Sequence, residues 1–144
     1  MIEQDTIRLL RECDAGIKMG VASIDKVRDY VKSADLRNAL TECKSQHEKL
    51  KDELEQALDR FGDTGKSPNP MAKGISWLKT NVKLGIDTSD AAIAELMTDG
   101  CSMGIKSLTK YLNEYKSADE NARDLAKQLI TQETHLIGQM RQYL

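Results

Sequence analysis

Residues 16–35 of this chain recur at 100–119. With a shift of 84, Gly16, Met19, Gly20, Ser23, Lys26, Lys32, Ser33, Ala34 and Asp35 fall on Gly100, Met103, Gly104, Ser107, Lys110, Lys116, Ser117, Ala118 and Asp119, nine identities in twenty positions. Average composition gives roughly one match over such a span. Val21/Ile105 and Ile24/Leu108 add conservative pairs. The recurring unit reads as a helix, a short turn and the start of a second helix. A chain that carries it twice is constrained to two copies of one helical hairpin. We place these at about 6–61 and 89–144, joined by a crossover at 62–88, within one domain of 144 residues.

Hydrophobic spacing gives each copy its two rods. Leu10, Cys13, Ile17, Gly20, Ile24, Val27 and Val31 alternate steps of three and four over a helix at 6–31. Leu36, Leu40, Cys43, His47, Leu50, Leu54, Leu58 and Phe61 do the same over 35–61, with Ser33 as N-cap and Gly62 as C′ residue. The turn between them is too short for anything but antiparallel neighbours. A third helix is expected over 90–116, capped by Ser89 or Asp87, with Ile93, Met97, Gly100, Cys101, Gly104, Leu108, Tyr111 and Tyr115 as its stripe. The fourth starts after Ser117, where Ser117 and Glu120 have capping-box spacing, and carries Ala122, Leu125, Ala126, Leu129, Leu136, Met140 and Tyr143.

The connector does not repeat. Gly65, Pro68 and Pro70 break it from the second helix, and 71–84 reads as a short amphipathic helix with Met71, Ile75, Leu78 and Val82 on one face and Trp77 off it. A connector of this length can cross the long axis of a bundle and leave helices 2 and 3 parallel. A plain up-down-up-down bundle needs only a few residues there.

The duplicated hairpin, the segment Met71-Ala72-Lys73-Gly74-Ile75-Ser76-Trp77-Leu78-Lys79, and the stretches 96–100 and 106–112 resemble a bacterial ferritin-like family known only as a four-helix-bundle domain of unknown function. The resemblance implies an all-α, ferritin-like four-helix bundle and no established activity. Wider ferritin-like enzymes hold two metals with Glu on helices 1 and 3 and Glu-x-x-His on helices 2 and 4. This chain departs from that pattern. His47 is preceded by Lys44, His135 by Gln132, Glu95 and Asp99 fall on the far side of helix 3, and Asp14 lies at the edge of its stripe. Too few inward carboxylates remain to neutralise two cations in a dry core.

Two polar residues interrupt the inward stripes. A shift of 86 aligns helix 4 on helix 2 and matches His47 to Glu133, so both point inward near mid-bundle on antiparallel helices. A buried His–Glu hydrogen bond is the plain expectation. The competing one is a mononuclear iron, zinc or manganese site on His47, Glu133 and Cys43. Lys44 either snorkels to solvent or pairs with Asp14 or Glu133 in place of a lost cation. Cys13, Cys43 and Cys101 read as small buried hydrophobes. Gly16-x-x-x-Gly20 and Gly100-x-x-x-Gly104 suggest close approach of helices 1 and 3, or of a partner helix, with space for a small ligand as the alternative. His135 falls on the surface, and neither a nucleophile elbow nor a phosphate-binding glycine loop is present.

Charged residues make up 31% of the chain and nearly balance, with net charge −2, so no basic excess tracks a phosphate backbone. No run approaches a membrane span, the polar N-terminus lacks signal-peptide features, and three unpaired cysteines fit a reducing cytosol. The expectation is therefore a cytoplasmic bundle, non-catalytic and without a cofactor, acting through self-association as a homodimer or through a protein partner. Trp77 and Tyr30 are the candidate contact residues. The alternative is a ferritin-like metal or redox protein with the reduced ligand set around His47 and Glu133.

Overall fold

Apolar stripes on four amphipathic rods can be buried together only by closing the rods around a common axis. The computed structural model describes residues 2–63 and 88–144. Within them are helices α1 (Ile2–Arg28), α2 (Ala34–Asp59), α3 (Asp90–Glu114) and α4 (Glu120–Met140), then a 3-10 turn at Arg141–Tyr143, and no strand. The expected amphipathic helix at 71–84, with Trp77, lies outside the described residues.

Two apolar clusters set the helix directions. One joins Leu9 and Leu10 of α1, Leu54 and Leu58 of α2, Leu108 and Leu112 of α3, and Ala122 and Leu125 of α4. The other joins Ile24 and Val27, Leu36 and Leu40, Ile93 and Met97, and Leu136 and Met140. So α1 and α4 run one way while α2 and α3 run the other. The hairpin partners are antiparallel, and α2 is parallel to α3. Asp63 lies beside Arg11 at one end (2.6 Å). Asp90 lies at the other, where its carboxylate accepts from the backbone of Lys32 and Ser33 (2.9 Å each).

Those contacts have a counterpart. Asp90 at the start of α3 holds the α1–α2 turn, while Thr6 near the start of α1 accepts from Asp119 N in the α3–α4 turn (2.8 Å) and Asp5 accepts from Ser117 N (3.1 Å). Each copy thus satisfies the turn of the other, as two exchange-related hairpins should.

Ser33 caps α2 and Ser89 caps α3, each accepting from the third residue on. Gly62 takes φ +68° after α2, with Asp63 N bonded to Leu58 O and Gly62 N to Asp59 O, the Schellman pattern with glycine at C′. The expected Ser117–Glu120 box is not formed. Asp119 caps α4 instead, accepting from Ala122 N (2.8 Å). The reason is register. Gly20 and Gly104 are 84 apart, but α1 ends at Arg28 and α3 at Glu114, 86 apart. α3 winds further before turning, so the structural equivalent of Ser33 is Asp119, although the letters of Ser117 match better. No described helix is long and apolar enough to cross a membrane.

Candidate functional site

The two apolar clusters do not merge into one column. Between them each helix contributes one residue that is not a large hydrophobe. Gly20 falls between Ile17 and Ile24, His47 between Cys43 and Leu50, Gly104 between Cys101 and Leu108, and Glu133 between Leu129 and Leu136. The two polar members of this layer are buried, with His47 2% and Glu133 7% exposed, and the two glycines are half-buried. Its members pair within hairpins. A Cβ built on Gly20 would lie 3.3 Å from the His47 ring, and one on Gly104 would lie 2.6 Å from Glu133 Oε2. The glycines make room for the polar side chain of the adjacent helix of the same hairpin.

That corrects the expectation of close contact between α1 and α3. Gly16, Gly20, Gly100 and Gly104 line a cavity of about 270 Å³ between those helices. A Cβ on Gly16 would meet nothing within 4 Å. Met19 and Ser23 line the same space, as do their repeat partners Met103 and Ser107. On each helix the set runs i, i+3, i+4, i+7, one face of an α-helix. The repeated letters of the two helices therefore coincide with the walls of one shared cavity. Leu96, Met97, Ile24 and Leu136 make much of the rest apolar, and Cys43, His47, Cys101 and Glu133 form its polar side. Glu12 and Tyr111, also in the lining, meet across the gap, and burial followed by the Glu12 charge pushes the Tyr111 hydroxyl upward.

His47 and Glu133 face the same space but do not bond to each other. The His47 Nδ1 sits 3.7 Å from Cys43 Sγ. Gln132 lies against the ring, although its own Oε1 makes no hydrogen bond of good geometry. Burial lowers the imidazole to about 4, with Gln132 and the Cys43 backbone pulling weakly the other way, so it is neutral at physiological pH. Glu133 Oε2 is buried with no hydrogen-bond partner. Burial alone pushes that carboxyl up to about 8, so it holds a proton at neutral pH. The expected His–Glu hydrogen bond is thus replaced by two neutral groups lining a common void.

No group of three His, Cys, Asp or Glu side chains able to hold an ion occurs among the described residues. All three cysteines are free and buried. Burial, then neighbouring carboxylates, raises the Cys13 and Cys43 thiols to about 12 and Cys101 further. Such thiols are protonated and unreactive.

Lys44 pairs with Asp25 at 2.6 Å on the surface, not with Asp14 or Glu133. Asp14, fully buried, is met instead by Lys18 at 2.7 Å, off hydrogen-bond direction. Tyr30 is 52% exposed in the turn after α1. Glu95, Asp99 and His135 are exposed, as their helical phase implies.

The cavity makes the glycines testable. Glycine in a helix costs roughly 1 kcal/mol against alanine. Gly16→Ala adds a methyl where nothing stands, so urea unfolding should show a gain of about 1 kcal/mol. Gly104→Ala should not deliver that gain, because its methyl must first displace the Glu133 carboxyl. Equal gains at both positions would contradict this geometry.

Comparison with protein-family models, with curated proteins and with solved structures finds no match to this chain.

Proposed function

We propose that this protein is a ferritin-like, non-catalytic helical bundle that binds a small molecule between α1 and α3. The observation that carries this reading is the cavity of about 270 Å³ whose lining includes Glu133, a buried carboxyl with one oxygen that has no hydrogen-bond partner. Buried polar groups in proteins are as a rule satisfied, and an unsatisfied one costs roughly 1–3 kcal/mol. Packing faults do not recur in register. The same four letters wall the cavity from both copies of the hairpin. The parallel course of α2 and α3 supports a ferritin-like arrangement, because a single long crossover produces it.

A binding role also fits the chemistry of the lining. The imidazole is neutral, the carboxyl is protonated and the thiols are held as thiols, so no activated nucleophile or charged acid–base pair is poised there. The cavity is larger than the roughly 150 Å³ that suffices for benzene in an apolar core. Association remains the weaker reading. The large exposed apolar residues among those described are Ile2, Tyr30, Met103 and Leu144, single side chains such as ordinary surfaces carry.

Three methionines, Met19, Met97 and Met103, line the cavity, and Met140 is buried outside it. In protein carrying ¹³C-methyl methionine, a neutral aromatic probe such as indole should shift the first three resonances saturably and leave Met140 in place. Gly16→Phe, which fills the open space at that position, should abolish the shifts. A probe that moves none of the three in the wild-type protein would sink the binding reading.

A further inference from the structure

The polar groups of the cavity are unequal in kind. Among the described residues that line it, Glu12 and Glu133 are the ionisable carboxyls and no Lys or Arg is present. An anionic ligand would therefore meet no opposite charge. The hydroxyl of Ser23 is already committed to Met19 O at 2.8 Å. Among the lining groups, Glu133 is a buried carboxyl with an unpartnered oxygen, which accepts when ionised. Around it stand thioethers and aliphatic side chains, with the Tyr111 ring at one end. Methionine adapts to flat apolar shapes, and an aromatic face attracts a cation.

Resting on the ligand-binding reading above, we propose that the occupant is a small monocationic amine with an apolar, ring-sized body, its ammonium against Glu133 and its body among Met19, Met97 and Met103. Volume limits the size. Scaling from a benzene-sized cavity, the space takes about ten non-hydrogen atoms, a ring with a short aminoalkyl arm. The charge arithmetic closes. The ammonium enters as a cation, Glu133 releases its proton to solvent, and a neutral pair fills the site. Bringing in a cation without that release would bury an unpaired charge. The other titratable groups facing the carboxyl are Glu12 and Cys13 on α1, Cys43 and His47 on α2, and Cys101 and Tyr111 on α3. Of these, the imidazole and the thiols are uncharged at neutral pH.

The test is a charge series at constant shape: 2-phenylethylamine, 2-phenylethanol and phenylacetate, titrated into the full chain and into Glu133→Gln, with the methionine methyl resonances as readout. The amine should bind most tightly, and the anion should fail to saturate. Glu133→Gln should weaken the amine by roughly ten- to a hundredfold, the range of a hydrogen bond to a charged group. The alcohol should change by less than about threefold, since its neutral hydroxyl needs no counter-charge. Saturable binding in which alcohol or anion equals the amine, or amine binding indifferent to Glu133→Gln, overturns the cationic assignment and leaves the cavity as a ligand site. Failure of all three probes, and of indole, to move Met19, Met97 or Met103 overturns both readings.

Discussion

Glu133→Gln is expected to make the empty protein more stable by about 3 kcal/mol at pH 7, a value obtained from linkage. The carboxyl has its ordinary value of 4.5 when the chain is unfolded and about 8 when it is folded. At pH 7 it is ionised in the unfolded chain and protonated in the native one, so folding must take up a proton against the prevailing pH. A group raised on folding contributes stability fully below its unfolded value and loses it as pH rises through the folded one. The window is therefore 4.5 to 8, with a slope near −1.4 kcal/mol per pH unit from this group. Glutamine has the shape of the protonated acid and no proton to lose, so the variant escapes the penalty. Urea unfolding from pH 5 to 9 should show the variant overtaking the wild type, with the gap widening up to about pH 8. Equal stability of the two proteins throughout would mean that Glu133 is solvated in the native state, and the cavity argument would fall with it. A gain of this size is a large share of the roughly 5–15 kcal/mol that holds a domain together. A residue retained at such a cost is characteristic of a binding group, not of a structural one.

The architecture was readable in the chain because periodicity and repetition are backbone-scale signals. Stripes at three-and-four spacing mark the inward faces of all four helices, Ser33 and Gly62 mark two ends, and of the two candidates Ser89 and Asp87 it is Ser89 that caps α3. The fourth cap differs from the sequence expectation for a definite reason. Identity at Ser33/Ser117 favoured a shift of 84, while the structure changes register to 86 before the turn and gives the cap to Asp119. That change was already present in the sequence, in the shift needed to align Leu36 on Ala122 and His47 on Glu133.

The site was legible as a set of residues and not as an arrangement. The stripes single out His47 and Glu133, and both are buried at mid-bundle. Whether they bond depends on side-chain direction, which spacing does not encode. The glycines had two readings, because removing a side chain permits either contact or space. The discriminating signal was the company they keep. Met19 and Ser23 repeat with Gly16 and Gly20 along one helical face, and a packed seam has no need to duplicate a methionine and a serine in register.

The acid side of the stability profile should expose what Glu133 conceals. His47 titrates near its ordinary 6.5 when unfolded and near 4 when folded, because burial disfavours the imidazolium. A basic group lowered on folding contributes stability fully above its unfolded value and loses it as pH falls toward the folded one, here from 6.5 to 4. By itself that is worth up to about 3 kcal/mol. In the wild-type protein the loss should be hidden. Between pH 4.5 and 6.5 the native state carries one extra proton on Glu133 and lacks one on His47, so the two slopes cancel. Glu133→Gln removes one side of that balance. The variant, more stable than wild type at pH 7, should lose about 3 kcal/mol between pH 6.5 and 4, while the wild type stays level over most of that interval apart from the drift both proteins share. Adding His47→Gln should flatten the curve again. If the single variant is as acid-resistant as its parent, the imidazole is reached by water in the folded state and cannot be part of a dry wall. If the slope appears but survives in the double variant, another buried base is responsible, and the polar layer between the two apolar clusters has been assigned to the wrong residue on α2.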